Sequence, residues 1–187
     1  MQMRHLGTKR LDTKRLILRP FVPEDALPMF QNWAGDPEVT RYLTWLAHQS
    51  VSITRALIDR WIKSYDEPNY YQWAIELKSL GEPIGSISAV KIHENDGSVE
   101  IGYCIGRPWW GQCLMPEAVR ALMDYLFDSI GVSRIIACHH PENLKSGRVM
   151  QKCGMAYNGK RYTDEKEREL CWYSIDKDLY KQYTEKV

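Results

Sequence analysis

The sequence predicts one domain of the mixed α/β class. Three observations carry this. Strand-like and helix-like segments alternate along the whole chain. A strand at 99–105 runs through a short loop into a helix with one strongly apolar face. Asn95-Asp96-Gly97, set between two apolar stretches, is a hairpin signal, so part of the sheet is antiparallel. The chain has 187 residues, 44% of them hydrophobic and 26% charged, enough to bury roughly 70% of its unfolded surface in one core. Residues 1–187 are therefore expected to form a single domain, with its core at about 8–180.

The elements follow in order. Residues 16–19 read as a short strand. Pro23, Glu24, Asp25 and Ala26 open a helix to about Trp33, which Gly35-Asp36-Pro37 breaks; 38–43 read as a second short helix. A longer helix starts near Ser50 or Ser52, either a suitable N-cap. It carries Leu57, Ile58, Trp61, Ile62 and Tyr65 on one face. Residues 71–77 and 84–93 read as strands joined by a turn around Gly81-Glu82-Pro83. The hairpin signal then leads into 99–105. In the next helix, Val119, Leu122, Met123, Leu126, Phe127 and Ile130 share one face. Pro116 suits its first turn, and Gly131 is a natural stop. A strand at 134–138 and a helix at 144–153, ending at Gly154, come next. Residues 155–161 and 170–175 form a final hairpin with a charged tip at Asp164-Glu165-Lys166-Glu167.

Net charge is +1, which argues against nucleic acid or an anionic membrane as a partner. No apolar run approaches the ~18 residues of a membrane span. The first ten residues carry basic side chains with no apolar stretch behind them, so they do not read as a signal peptide. Five cysteines, an odd number, read as reduced thiols of a cytoplasmic protein. No Cys/His spacing fits zinc, and adjacent His139 and His140 would point to opposite strand faces, so no metal is expected.

The most informative stretch is Trp110-Gly111-Gln112-Cys113-Leu114-Met115-Pro116-Glu117-Ala118. A small-residue loop entering a helix presents free backbone N–H groups at the positive end of the helix dipole. That is a physical site for phosphate or pyrophosphate. The loop is not a P-loop: no GxxxxGK[ST] occurs, and Cys113, Leu114 and Met115 offer no lysine. The dinucleotide fingerprint GxGxxG is also absent. A plain strand-to-helix connection is the competing reading.

Four landmarks occur in a telling order. Residues 11–21 read LDTKRLILRPF. Glu100-Ile101-Gly102-Tyr103 lies on the central strand. The WGxxxxxEA loop follows. Residues 141–155, PENLKSGRVMQKCGM, fit N-x-x-S-x-x-V-x-x-K-x-G-M. Together they resemble the GNAT acetyltransferase superfamily, and within it the Rim-type branch that acetylates the N-termini of ribosomal proteins. The resemblance spans nearly the whole chain. It implies the GNAT acyl-CoA N-acyltransferase fold: a mixed, mostly antiparallel central sheet, splayed in the middle, with helices on both faces. It implies acetyl-CoA as co-substrate, with the pantetheine along Tyr103, Cys104 and Ile105. The pyrophosphate would sit on Trp110, Gly111, Gln112, Cys113, Leu114 and Met115. The chain departs from the superfamily loop [QR]-x-x-G-x-[GA] at Pro108 and Cys113. At Cys113 a Cβ and a sulfur stand where the backbone should approach phosphate, and a positive φ there is costly.

The implied chemistry is acyl transfer. An amine attacks the thioester carbonyl directly, a tetrahedral intermediate forms, and the thiolate leaves. Glu100 is the candidate base, through water, because its same-face neighbours Gly102 and Cys104 are small; a surface or salt-bridged Glu is the other reading. Many superfamily members carry a tyrosine four residues before the closing glycine, where this chain has Met150. The resemblance moves that acid role to Ser146, whose alternative is a helix N-cap. Asn143 either holds a coenzyme amide or makes an Asx-turn. Cys104, Cys138 and Cys153 read as buried thiols, and Cys113 as a packing substitution. Trp33, Tyr42 and Trp45 either line the acceptor cleft or pack two helices together.

The acceptor is the least legible part. An α-amino group of pKa ~7.7–8.0 is roughly a quarter neutral near pH 7.4, against about 0.1% for lysine. With one candidate carboxylate, the expected acceptor is the N-terminal α-amine of a protein, ribosomal-protein-like. A small-molecule amine (antibiotic, polyamine or amino acid) is the alternative, as is a non-catalytic acyl-CoA-binding module. The chain is expected to act as a monomer or homodimer.

Overall fold

The computed structural model describes residues 3–163 and 168–185. An N-terminal hairpin pairs β1 (Leu11–Asp12) with β2 (Leu16–Arg19). An irregular helix follows, 3-10 over Pro23–Asp25, α over Ala26–Met29 (α1) and π-wound over Phe30–Ala34. Then come the short α2 (Pro37–Thr40) and the long α3 (Val51–Ser64). Three strands succeed them: β3 (Gln72–Leu77), β4 (Glu82–His93) and β5 (Ser98–Ile105). Helix α4 (Leu114–Asp124) runs on, π-wound, to Ile130. The chain ends with β6 (Arg134–His139), α5 (Leu144–Gln151), β7 (Ala156–Thr163), β8 (Arg168–Asp176) and α6 (Lys177–Thr184).

Among the described residues the strands form one sheet, ordered β1-β2-β3-β4-β5-β6-β8-β7. Every neighbouring pair is antiparallel except β5 and β6. Strand alternation sorts side chains onto two faces. Trp73, Ile75, Val99 and Ile101 share one core with Leu114, Ala118, Val119, Leu122 and Met123 of α4. On the other face, Met29, Trp33 and Ile58 pack with Ala74, so the irregular first helix and α3 cover it. Each fully buried large apolar side chain contributes about 1.5–3 kcal/mol. Both faces are therefore held, and the sheet cannot peel from either layer cheaply.

The parallel pair is short. It extends only from Ser98 opposite Arg134 to Ile101 opposite Ala137. Beyond that point β5 continues to Ile105 paired with β4 alone. Its other edge is open from Gly102 onward, which is the splay that the family resemblance implies.

Some boundaries differ from the sequence reading. Leu77 pairs with Glu82, so Glu82 and Pro83 belong to β4 and the turn precedes them. Gly81 supplies its positive φ of +71°. Pro83 is tolerated because the β3–β4 register shifts between Ile75 and Glu76, a bulge that releases a ladder bond. Helix α6 is short and mostly polar and buries only Tyr180, so few apolar residues mark it in the sequence. The charged tip at 164–167 lies outside the described residues.

One ion network fixes the first helix to the sheet. Arg19 donates to both Asp25 oxygens at 2.8 and 2.9 Å, and from Nε to Glu76 at 2.6 Å. Asp25 is buried and also accepts from the Val22 amide at 2.9 Å. The Asp25 hydrogen bonds raise the Arg19 pKa, against the opposing effect of burial. Asp25→Ala should leave a largely buried guanidinium short of its main partner, costing about 3 kcal/mol. Urea unfolding would show this as a lower midpoint at unchanged slope. A loss within experimental error would mean that solvent already screens the pair.

Candidate active site

After Ile105 the chain leaves the sheet through a 3-10 turn at Arg107–Trp109. Trp110 Nε1 donates to the Ile105 carbonyl at 2.8 Å and pins the exit of the strand. Gly111 and Cys113 then take positive φ values of +78° and +57°. The amides of Gly111, Gln112 and Cys113 make no hydrogen bond among the described residues. Those of Leu114 and Met115 open α4, where no intrahelical acceptor exists. Five successive N–H groups are thus free at a helix N-terminus. A Cβ on Gly111 would meet no atom within 4 Å. The glycine therefore answers to its φ and to an approaching ligand, not to protein packing. The side chains of Leu114 and Met115 are buried in the core, so they can serve a ligand only through their amides.

A clamp sets this geometry. The Glu117 carboxylate accepts from Thr13 Oγ1 at 2.6 Å, from the Arg15 amide at 2.8 Å and from Arg15 Nε at 2.7 Å. Arg15 then donates to the carbonyls of Gln112 at 3.0 Å and Cys113 at 3.2 Å. Those carbonyls face the β1–β2 turn. Gln112 is exposed, and its Nε2 closes the loop on the Pro108 carbonyl at 2.8 Å.

A cleft of about 880 Å³ extends from this loop past Tyr103, Cys104 and Ile105 to α5. Lys145, Arg148 and Lys152 line it. Their spacing of three and four sets them on one helical side. Lys145 Nζ lies 4.0 Å over the Trp110 ring, and Lys152 Nζ lies 3.2 Å from Cys113 Sγ. Free amides flanked by cations suit a phosphorylated ligand, and the open edge of β5 suits one that carries amides. The residues present therefore fit coenzyme A.

Asn143 caps α5, its side chain accepting from the Ser146 amide at 3.3 Å. Ser146 is not the cap. Its Oγ donates to Tyr103 Oη at 3.1 Å, and Tyr103 Oη donates to the Ser146 carbonyl at 3.1 Å. Both side chains line the cleft. Burial raises the Tyr103 phenol above its usual range, partly offset by the Ser146 hydrogen bond.

Glu100 lies on the β5 face that also bears Gly102 and Cys104, one residue before the strands part. Its Oε1 accepts from Cys138 Sγ at 3.4 Å. Burial first, then the Glu100 charge, pushes that thiol up to about 12. Glu100 is not among the residues lining the cleft, whereas Cys104 is. Cys104 and Cys138 are half-buried rather than buried.

The aromatic expectation needs correction. Trp33 has no exposure and packs inside the second core, so it forms no cleft wall. Trp45 packs against the same core, with its ring 5.3 Å from that of His48. Of the three, Tyr42 lines the cleft, stacked on His140 at 5.1 Å. Cys113 is exposed and fills no packing gap, which corrects its reading as a packing substitution. The Arg15 clamp, the three cleft cations and the Tyr103 phenol lie outside the sequence expectations. The spacing of Lys145, Arg148 and Lys152 and the glutamate of the WGxxxxxEA pattern are the signals the sequence carries for these.

Burial alone would raise the Glu117 pKa, but the hydrogen bonds from Thr13 and Arg15 outweigh it and lower the value. A depressed folded pKa means stability that is present above the unfolded value of ~4.3 and lost as pH falls through the folded one. Glu117→Gln should therefore destabilise the fold by about 2 kcal/mol at neutral pH, with the gap to wild type closing below about pH 4. Thermal melts across pH 3–7 would test this; a gap independent of pH would remove the charge from the account.

Residues 15–156 match the acetyltransferase (GNAT) domain family. The chain is 36% identical to the uncharacterized N-acetyltransferase p20 of Bacillus licheniformis over 149 residues, 80% of this chain and 83% of that protein. It is also 36% identical, over only 59 residues, to the ribosomal protein uS5-alanine N-acetyltransferase of Escherichia coli K12, covering 32% of this chain and 30% of that one. The crystal structure of a GNAT-family acetyltransferase from Bacillus anthracis superposes with a TM-score of 0.78 at 23% identity, covering 91% of this chain and 99% of that one. No helix among the described residues is long and apolar enough to cross a membrane. With its free-amide loop, its open strand edge and this match across both, the chain belongs to the GNAT acetyltransferase family and is an acetyl-CoA-dependent acetyltransferase.

Proposed function

We propose that this enzyme acetylates the N-terminal α-amine of a protein in the cytoplasm. The free-amide loop beside the open edge of β5 carries the acetyl-CoA half of this reading. The pyrophosphate binds the amides of residues 111–115, and the pantetheine runs along Tyr103, Cys104 and Ile105. Asn143 holds a coenzyme amide with its remaining side-chain donor, since its oxygen caps α5. Tyr42 meets the acceptor. Glu100 takes the amine proton through water, and Ser146 delivers a proton to the departing sulfur.

Two observations support the α-amine. The Escherichia coli relative is named for an alanine of ribosomal protein uS5, a residue whose side chain carries no amine. An amine already roughly a quarter neutral near pH 7.4 also needs little help from a base, and the carboxylates that line the cleft are two, Glu38 and Glu142.

The test is turnover on an amine panel, read as free thiol released from acetyl-CoA. Peptides with free N-termini should turn over faster than polyamines, amino acids or aminoglycosides. Preference for a small amine would overturn the acceptor, and no turnover on any amine would overturn the activity.

Two variants probe the parts. Acetyl-CoA at a hundredfold excess over its Kd should stabilise wild type by about 2.7 kcal/mol. Gly111→Val should abolish most of that thermal shift, whereas Cys113→Gly should retain or increase it. Glu100→Gln should lower kcat/KM on the order of 10²-fold near pH 7 and less at higher pH, where the amine is already neutral. A pH–rate profile identical to wild type would leave deprotonation to solvent.

A further inference from the structure

Ser146 cannot be the final source of a proton. An aliphatic hydroxyl is about as weak an acid as water, pKa ~15.7, while an alkyl thiol has pKa ~8.5. If Ser146 alone gave its proton to the leaving sulfur, it would become an alkoxide roughly seven pKa units less stable than the thiolate it neutralised. A serine can serve only if its proton is replaced in the same step. A protein group that replaces it must lie within hydrogen-bond reach of Ser146 Oγ.

Among the described residues, the one hydrogen bond made by Ser146 Oγ is to Tyr103 Oη, at 3.1 Å. The phenol is equally close, 3.1 Å, to the Ser146 carbonyl. Its single proton can therefore turn from the carbonyl to Oγ without the ring moving, and this frees the serine proton for the cleft. Both partners are fixed. The Tyr103 ring packs against the main core from β5. Ser146 is the third residue of α5, whose start is set by the Asn143 cap.

We propose that Tyr103 and Ser146 form a two-hydroxyl proton relay, in which the phenol of Tyr103 reloads Ser146 as the thioester C–S bond breaks. This rests on the reading of Ser146 given above. The C–S bond breaks and its electron pair stays on sulfur. Sulfur takes the proton of Ser146 Oγ, and Ser146 Oγ takes the proton of Tyr103 Oη. Water reprotonates the phenolate, and the proton lost by the amine leaves through Glu100 to solvent. One acetyl-CoA and one amine are consumed; one amide and one free thiol form. A phenol is already protonated near neutral pH, and burial raises the Tyr103 pKa further. The same burial disfavours the phenolate, so the Tyr103 proton must be replaced from cleft water as it moves to Ser146. Tyr103 acts through Ser146, so it is a positioning and reloading residue for the step.

The experiment is a double-mutant cycle on the full chain: Tyr103→Phe, Ser146→Ala and the pair. Tyr103→Phe keeps the ring and the packing. Acetyl-CoA thermal shifts confirm that each variant folds and binds. Each single change should lower kcat on the order of 10²-fold while the KM for acetyl-CoA moves by no more than about threefold, because the relay acts only in the transition state. The double variant should match Ser146→Ala alone, as expected for groups acting in series. Three outcomes overturn the relay. Tyr103→Phe with wild-type kcat, beside a crippled Ser146→Ala, leaves the serine reading standing without the tyrosine. Wild-type kcat in Ser146→Ala removes the serine reading and the relay together. Losses that multiply in the double variant show two independent roles.

Discussion

The Glu117 carboxylate and the Arg15 guanidinium hold the loop before α4 by its carbonyls. Glu117 gathers Thr13, the Arg15 amide and Arg15 Nε. The two remaining Arg15 nitrogens take the carbonyls of Gln112 and Cys113. A peptide plane has its N–H opposite its C=O, so tying carbonyls to the β1–β2 turn aims the linked amides away from it. The free amides of the loop are thus oriented from the far side of the sheet, by residues about a hundred positions away. Without the clamp, α4 would keep its apolar face but lose a defined entrance.

The second constraint is the place where the sheet fails. Pairing of β5 and β6 stops at Ile101 and Ala137, yet β5 runs on to Ile105. Open strand edges are normally blunted or covered. Here the Trp110 indole takes the Ile105 carbonyl and closes one end. The rest of the edge is left to a ligand. The two open features, amides at the loop and an edge on β5, are consecutive in the chain. One extended molecule can satisfy both, which is why an acyl-CoA fits better than an isolated phosphate. The cations of α5 border the same cleft, and their attraction strengthens as the ligand is desolvated.

Local features were legible in the sequence, and distant ones were not. The alternation of elements, the Asn95-Asp96-Gly97 signal and the apolar face of α4 each arise from residues within a few positions of one another. They located the central strands and the loop to within a residue or two. Glu117 was visible as part of the WGxxxxxEA pattern, but its partner Arg15 lies 102 residues earlier. The Tyr103–Ser146 contact spans 43 residues. No periodicity encodes such pairs; the sheet order does. Trp33 misled for a related reason. Sequence places it in the segment near the cleft, yet helical phase turns its ring inward, to full burial.

Cys113 shows how the two constraints meet. A non-glycine residue in the left-handed region costs about 1–2 kcal/mol. Its carbonyl accepts from Arg15 Nη2 at 3.2 Å, a hydrogen bond to a charged group. Such bonds contribute about 1.5–3 kcal/mol, and the partial exposure of Arg15 argues for the lower end. Clamp and strain are therefore of similar size, and the clamp is sufficient to hold the conformation. The side chain itself is exposed and meets the Lys152 ammonium instead of the core. What the loop requires at this position is the direction of an amide, not the identity of a side chain. A cysteine satisfies that requirement wherever the arginine holds the carbonyl, so the departure from the glycine pattern at 113 leaves the loop amides without a protein partner among the described residues.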